Sequence, residues 1–293
     1  MTTGILAEPG AATGARRGRG APRGGRVGAM PGRTTSSIIL AVSAVLFLLP
    51  IGAMLLFTFR VSGDPASFTL VHYEAIFDPN QELTYDQLFE GIGNSLVICL
   101  ITVAIVLLVL LPTMVLVELR YARLRRAIEF VCLLPITVPT VVLVVGFVPV
   151  YQVVAGAFGS VPWTLSFAIG VIVLPYAYRP IQANIASFDI VVLSEAARSL
   201  GAGWMSVLGR VILPNLKRGI LSACFLTIAV VLGEFTIASF LNQTTFQTAL
   251  FLLQQTDPYV AAIFAVFALV FAFVLLLVIG RVGSFRRARR TSR

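Results

Sequence analysis

Six stretches of nearly unbroken apolar residues, each close to the length that carries a helix across a ~30 Å hydrocarbon layer, constrain this chain more than anything else in it. They run from about Ser37 to Phe59, Ile92 to Val117, Phe130 to Phe158, Trp163 to Tyr178, Ile220 to Leu241 and Tyr259 to Ile279. The third has Pro135 and Pro139 near its start. Composition points the same way, with 58% hydrophobic and 12% charged residues where a soluble domain carries roughly 45–50% and about 25%. That excess is more than a water-surrounded core can bury. The expected fold is an all-α membrane protein of six transmembrane helices.

The basic residues orient those helices. A six-span reading leaves 21 of the 22 lysines and arginines on one side, with Arg60 alone on the other. They fall in the N-terminal stretch, in the loop from Arg120 to Arg126, in the loop after the fourth span and beyond the sixth. The positive-inside rule then predicts that both termini and both basic loops are cytoplasmic. Adding or dropping a span would scramble this one-sidedness. The domain plan is a disordered Arg/Gly-rich cytoplasmic tail over 1–36, a six-helix domain over 37–281, and a basic cytoplasmic tail over 282–293. The first apolar run exceeds a signal peptide's core, so it is expected to stay as an uncleaved span.

The other face is acidic, with Asp64, Glu74, Asp78, Glu82, Asp86 and Glu90 between the first two spans and Asp257 before the sixth. This is either a solvated loop that avoids positive charge or a surface that docks an extracytoplasmic partner. Cys99, Cys132 and Cys224 sit in apolar blocks without metal-ligand spacing, and the only histidine, His72, lies in the acidic loop. No metal site is expected.

The segment between the fourth and fifth spans, 182–218, carries the most information. Val192 to Leu200 has the makings of a short helix, which Gly201 and Gly203 can end or kink. Trp204, Val207, Leu208 and Val211 recur at i, i+3, i+4 and i+7, predicting a second amphipathic helix along the membrane surface, with Pro214 ending it.

This segment resembles the EAA motif of ABC importer permeases: Glu-Ala-Ala, three residues, Gly, nine residues, then Ile-x-Leu-Pro. Glu195, Ala196, Ala197, Gly201, Leu213 and Pro214 match at that spacing, and Val211 stands in for the isoleucine. Asn94-Ser95-Leu96 and the Leu133-Leu134-Pro135 to Pro139 stretch are also similar to the family. The likeness covers roughly residues 37–285. It implies the type I ABC importer permease fold and a loop that acts as a coupling helix in a groove of a separate ATPase. Ala196 and Ala197 would permit close approach there, and Glu195 would offer a charge-assisted hydrogen bond. Leu200 and Trp204 would be apolar anchors, with Ser199 and Ala202 in the same surface.

The resemblance further implies a second permease subunit (a homo- or heterodimer), two ATP-binding subunits and an extracytoplasmic substrate-binding protein. The lipid bilayer is a partner by composition, and no nucleic acid is expected. The chain itself is expected to be non-catalytic and without cofactor, since a P-loop needs a lysine after glycine and the only lysine, Lys217, follows Leu216. ATP and Mg would belong to the partner ATPase.

Glu234, in Val231-Leu232-Gly233-Glu234-Phe235, falls inside the fifth apolar run. A charge at the bilayer centre costs about 2.5–3.5 kcal/mol on insertion scales, so it must face protein or a water-filled cavity. It is either a translocation-pathway residue that contacts substrate or a structural anchor, paired with a neighbouring helix or capping a break near Gly233. The loop and the Gly-Glu-Phe stretch are most similar to the spermidine/putrescine-type permeases, which makes a polyamine or similar small ligand the expected substrate. The same machine for iron, phosphonate, a sulfate-like anion or a sugar is the alternative, as is a non-ABC secondary transporter.

Overall fold

The computed structural model describes residues 33–61, 64–78 and 82–284, and six of its helices are long and apolar enough to cross a membrane. The chain falls into two units, residues 1–50 and 51–293. The described part of the first is helix. α1 (Arg33–Phe57) begins inside the stretch expected to be a tail, and residues 1–32 of that tail lie outside the described residues. Ile38, Leu40, Val45 and Phe47 are all exposed. A helix apolar all round is suited to lipid rather than to a water-facing surface.

In the second unit a small lobe follows that hydropathy does not announce. β1 (Arg60–Val61) pairs antiparallel with β2 (Asp64–Phe68), and α2 (Val71–Ala75) comes next. Aromatic stacking ties the lobe to the first turn of the last helix. The Tyr259 ring lies between those of His72 and Phe57, with centroid distances of 4.4 and 4.7 Å. Thr58 Oγ1 and the Tyr73 hydroxyl share a hydrogen bond of 2.7 Å.

α3 (Glu82–Ile105), a π-helical turn (Val106–Leu110) and α4 (Leu111–Arg120) form one continuous span. Pro112 stands near the start of α4. The same device recurs downstream, where a π-helical stretch (Val207–Ile212) leads into Leu213-Pro214. Proline lacks an N–H and its ring crowds the carbonyl one turn back; a widened turn just before it makes room without ending the helix. At the second site the Asn215 side chain donates to the Val211 carbonyl at 2.7 Å.

The third apolar run is two helices rather than one. α5 (Arg125–Thr137) and α6 (Thr140–Phe158) meet at Val138, which is extended (φ −106°, ψ 129°). Residues that precede proline disfavour the helical region, and Val138 precedes Pro139. α7 (Leu165–Ile185) passes straight through Pro175 and Pro180 and outruns its expected end at Tyr178. It is the central helix, with Ile169, Val173, Ala177, Ile181 and Ile185 all buried, and it packs against α10, α5 and α3.

After α8 (Ile190–Ser199) and α9 (Trp204–Ser206), helix continues through the π-helical stretch into α10 (Leu213–Leu232). The expected stop at Pro214 is therefore absent, and the span runs Trp204–Leu232 rather than Ile220–Leu241. Beyond it lie α11 (Thr236–Phe240), α12 (Phe246–Thr256) and α13 (Pro258–Ser284). α13 extends into the 282–293 stretch, of which 285–293 lie outside the described residues.

α12 is clamped at its start by α3. Asn94 Nδ2 donates to the Thr244 carbonyl at 2.9 Å, and Phe246 N donates to Ser95 Oγ at 2.9 Å. Gly91 permits the approach, because a Cβ there would sit 2.6 Å from the Thr245 carbonyl oxygen. Thr245 and Thr248 add a reciprocal capping box. The clamp sits on a separate apolar cluster that includes Tyr85, Leu88, Ala249, Leu253 and Phe264.

Candidate functional site

The Glu-Ala-Ala segment forms α8, and both ends of that helix are built from side chains suited to the purpose. At the start, Asp189 Oδ1 accepts from Val191 N at 3.1 Å and Val192 N at 3.0 Å. An aspartate at this position fills orphan donors and faces the positive end of the helix. At the other end Gly201 adopts φ +85°. Its N–H donates to the Arg198 carbonyl at 2.9 Å, and Ala202 N–H donates to the Ala197 carbonyl at 3.1 Å. This pair of bonds is the Schellman arrangement, which needs a left-handed residue one place past the cap.

The geometry gives the motif's spacing a physical reason. Glycine occupies the left-handed position at low cost, and the second alanine of Glu-Ala-Ala lies where its carbonyl closes the outer bond. Ala197 and Ala202 both pack against the core, the apolar contact that accompanies such ends. The two alanines therefore do different work: Ala197 faces inward while Ala196 is exposed. Ile190 and Ser194 complete the inward face.

The outward face carries Glu195, Ala196, Ser199 and Leu200, all exposed. Leu200 is 89% exposed and Met205 78%, a large apolar presentation at a loop tip. Ser199 Oγ donates back to the Glu195 carbonyl at 3.0 Å. Trp204 is 41% exposed. Leu213 is partly buried against the core and Pro214 is exposed, so these two belong to the root of α10 rather than to the tip.

Between α8 and the end of α4 lies a cleft of about 250 Å³ lined by Arg120, Ser194, Glu195, Arg198, Gly203 and Trp204, among others. It brings the two basic loops to the same end of the bundle, as six alternating spans require. Arg125 braces this end from behind. Its guanidinium pairs with Glu118 at 3.3 Å, and the Gln182 amide, oxygen toward the guanidinium, accepts from it at 3.0 and 3.2 Å.

Glu234 lies apart from this loop. It does not interrupt a helix, because α10 has already ended at Leu232. Its Oε1 accepts from Ile237 N at 2.7 Å and so caps α11. Gln247 reaches back from α12 and donates to the Leu232 carbonyl at 3.0 Å. The break between α10 and α11 is thus held by one side chain on each side. Gln247 Nε2, Asn94 and Ser95 have structural work that hydropathy does not reveal. Asp189 before Ile190-Val191 is a cap signal that the sequence offers, as is Asp257 before Pro258, whose Oδ1 accepts from Tyr259 N and Val260 N at 3.1 Å. Among the described residues, no group of three or more His, Cys, Asp or Glu could hold a metal ion.

Comparison with known proteins accords with this geometry. The family described as "Binding-protein-dependent transport system inner membrane component" matches residues 115–291, a stretch that contains the whole of α8, the glycine turn and α10 to α13. The protein named Probable ABC transporter permease protein y4fN, of Sinorhizobium fredii (strain NBRC 101917 / NGR234), is 24% identical over 209 residues, covering 68% of this chain and 36% of that protein. Spermidine/putrescine transport system permease protein PotC of Haemophilus influenzae (strain ATCC 51907 / DSM 11121 / KW20 / Rd) is 26% identical over 123 residues, 42% of this chain and 47% of that one. The chain spans less than half the length of each of these relatives. With the family's match extending over more than half of the chain, this multi-pass membrane protein belongs to the binding-protein-dependent transport system inner membrane components.

Proposed function

We propose that the chain is the permease subunit of an ATP-driven importer and that it couples to a separate ATPase through the α8–Gly201–α9 loop. The observation that carries this reading is the loop's construction. A capped helix ends on a Schellman turn that thrusts Leu200 and Met205 into solvent, a rigid ridge of the kind that fills a hydrophobic groove. Exposed leucine at a loop tip has a cost unless something covers it. The one-sided distribution of basic residues supports a cytoplasmic position for the loop and both termini. One chain then provides half of a permease pair, alongside two ATP-binding subunits and an external binding protein. Its own part is to transmit motion by rigid-body rocking, with no covalent step.

For the substrate, the reading is a polyamine or similar small cation. The support is the likeness to a relative named for spermidine and putrescine transport together with the Glu234 carboxylate beside a helix break, the sort of place where transporters bind ligand. Oε1 is engaged with Ile237 N, and a cationic amine would meet the rest of the group.

The test is to purify the tagged protein with its neighbours from its own membrane and measure ATP hydrolysis with the binding protein and spermidine or putrescine. Recovery of a nucleotide-binding subunit, stimulation by the polyamine, and loss of that stimulation in Gly201→Asp are expected. Purification without any ATPase overturns the coupling reading, and stimulation by an anion or sugar instead overturns the substrate.

A further inference from the structure

The cleft behind α8 has features that a coupling ridge alone does not require. Ser194 is 4% exposed, its hydroxyl has no hydrogen-bond partner, and it lines the cleft. A buried hydroxyl left unpaired costs free energy that a bound acceptor or donor recovers. Two guanidinium groups, Arg120 on α4 and Arg198 on α8, line the same space. Among the described residues neither forms an ion pair; the ion pair at this end of the bundle joins Arg125 to Glu118. Glu195 is the acidic side chain in the lining, and its carboxylate also makes no hydrogen bond among the described residues. The lining therefore carries two positive charges against one negative.

We propose that this cleft receives a carboxylate side chain from the nucleotide-binding partner, held between Arg120 and Arg198 with the Ser194 hydroxyl as a neutral donor. An entering carboxylate brings the cleft to neutrality as an alternating cluster of two arginines and two acids. The guanidinium fork suits a carboxylate in a way an ammonium does not. The volume, about 250 Å³, admits a side chain rather than a helix. Leu200 and Met205, close in sequence to the lining residues Arg198, Ala202 and Trp204, are the exposed apolar surface that would bring the partner there. Trp204, 41% exposed at the rim, shields the cluster from water once the partner is seated. The inference rests on the coupling reading and adds to it a second contact, on α4, outside the Glu-Ala-Ala segment.

The experiment uses the complex in nanodiscs, stripped of its nucleotide-binding subunit and titrated with it again. Arg120→Gln and Arg198→Gln are each expected to weaken reassembly by roughly tenfold or more, tenfold being the low end for one partner of a close charge pair. Arg120→Glu is expected to weaken it further and to be rescued by reversing one acidic residue on the partner's permease-facing surface to arginine. Cross-linking from Leu200→Cys separates the two readings. If Leu200→Cys cross-links to the nucleotide-binding subunit while Arg120→Gln reassembles as wild type does, the cleft proposal is wrong and the coupling reading stands. If Leu200→Cys cross-links to no such subunit, both fall. Rescue of Arg120→Glu by Glu195→Arg within this chain, with no partner reversal effective, would mean an internal ion pair. Competition of reassembly by millimolar inorganic phosphate in wild type but not in Arg120→Gln/Arg198→Gln would assign the cleft to a free anion. Either result overturns the proposal.

Discussion

The chain breaks its helices in two very different ways, at residues 200–203 and at residues 233–235. At the first, the turn is made by local backbone: Gly201 at φ +85°, with hydrogen bonds reaching no further than from Ala202 to Ala197. At the second, Gly233 keeps a right-handed conformation (φ −89°), and the break depends on side chains. Glu234 caps α11 and Gln247, from another helix, caps α10. A break of the first kind is shaped by its own backbone, which suits the coupling ridge proposed above. A break of the second kind depends on polar contacts that a ligand or a movement of α12 can exchange.

The difference is open to direct attack. The largest effect is expected for Gly201→Val. A β-branched residue cannot adopt the left-handed conformation without strain of about 1–2 kcal/mol, and the ridge beyond it would be re-aimed. Stimulated ATP hydrolysis should fall more than tenfold while the described bundle keeps its helicity by circular dichroism. Full retention of stimulation would show that the turn's shape is irrelevant. Next in size is the Glu234 pair. Glu234→Leu removes the α11 cap and should lower stability by about 1 kcal/mol, read as a lower thermal midpoint in detergent. Glu234→Gln keeps an acceptor oxygen and should hold the midpoint. Its effect on transport isolates the charge: a raised half-saturating concentration means contact with a cationic substrate, and unchanged transport leaves capping as the residue's only role. The smallest effect belongs to Gly233→Ala. A Cβ there meets the Ala229 carbonyl oxygen at 3.3 Å, a tight but right-handed site, so a midpoint change within about 0.5 kcal/mol is expected. A large loss at Gly233 would mean that this break, too, is set by backbone.

The same division explains what could be read in advance. The first break was legible because its cause is local: Glu-Ala-Ala, three residues and a glycine contain the helix, its closing carbonyl and its left-handed cap. The second is only partly legible: a break near Gly233 capped by Glu234 is one of the readings the sequence leaves open, but Leu232, Phe235, Ile237 and Phe240 keep hydropathy high across it, so the span is expected to run on to Leu241. Pro214 was misread in the opposite sense. A proline ordinarily stops a helix, but a π-helical stretch before it absorbs the clash, as another does ahead of Pro112. Val138 shows that prolines are not all alike, since the residue before Pro139 does leave the helix. α12 escaped notice because it is short and its anchors are remote. Asn94 and Ser95 resemble the family's pattern, but that likeness does not state what they hold. Arg120 and Ser194 belong to the cleft only because α4 and α8 come together, which no stretch of sequence states.

The clamp on α12 has a consequence for how the protein is made. Asn94 and Ser95 wait for partners 150 and 151 residues further along the chain. At about 5–20 residues per second, the ribosome takes roughly 8–30 s to deliver them. During that interval Asn94 has only Glu90, one turn back on α3 at 3.4 Å, and Ser95 lacks the α12 backbone donor that it later receives. A nascent chain that stalls before Phe246 therefore displays a polar pair without its long-range clamp, the kind of mark a membrane protease or insertase can read, and completion of α12 withdraws that mark.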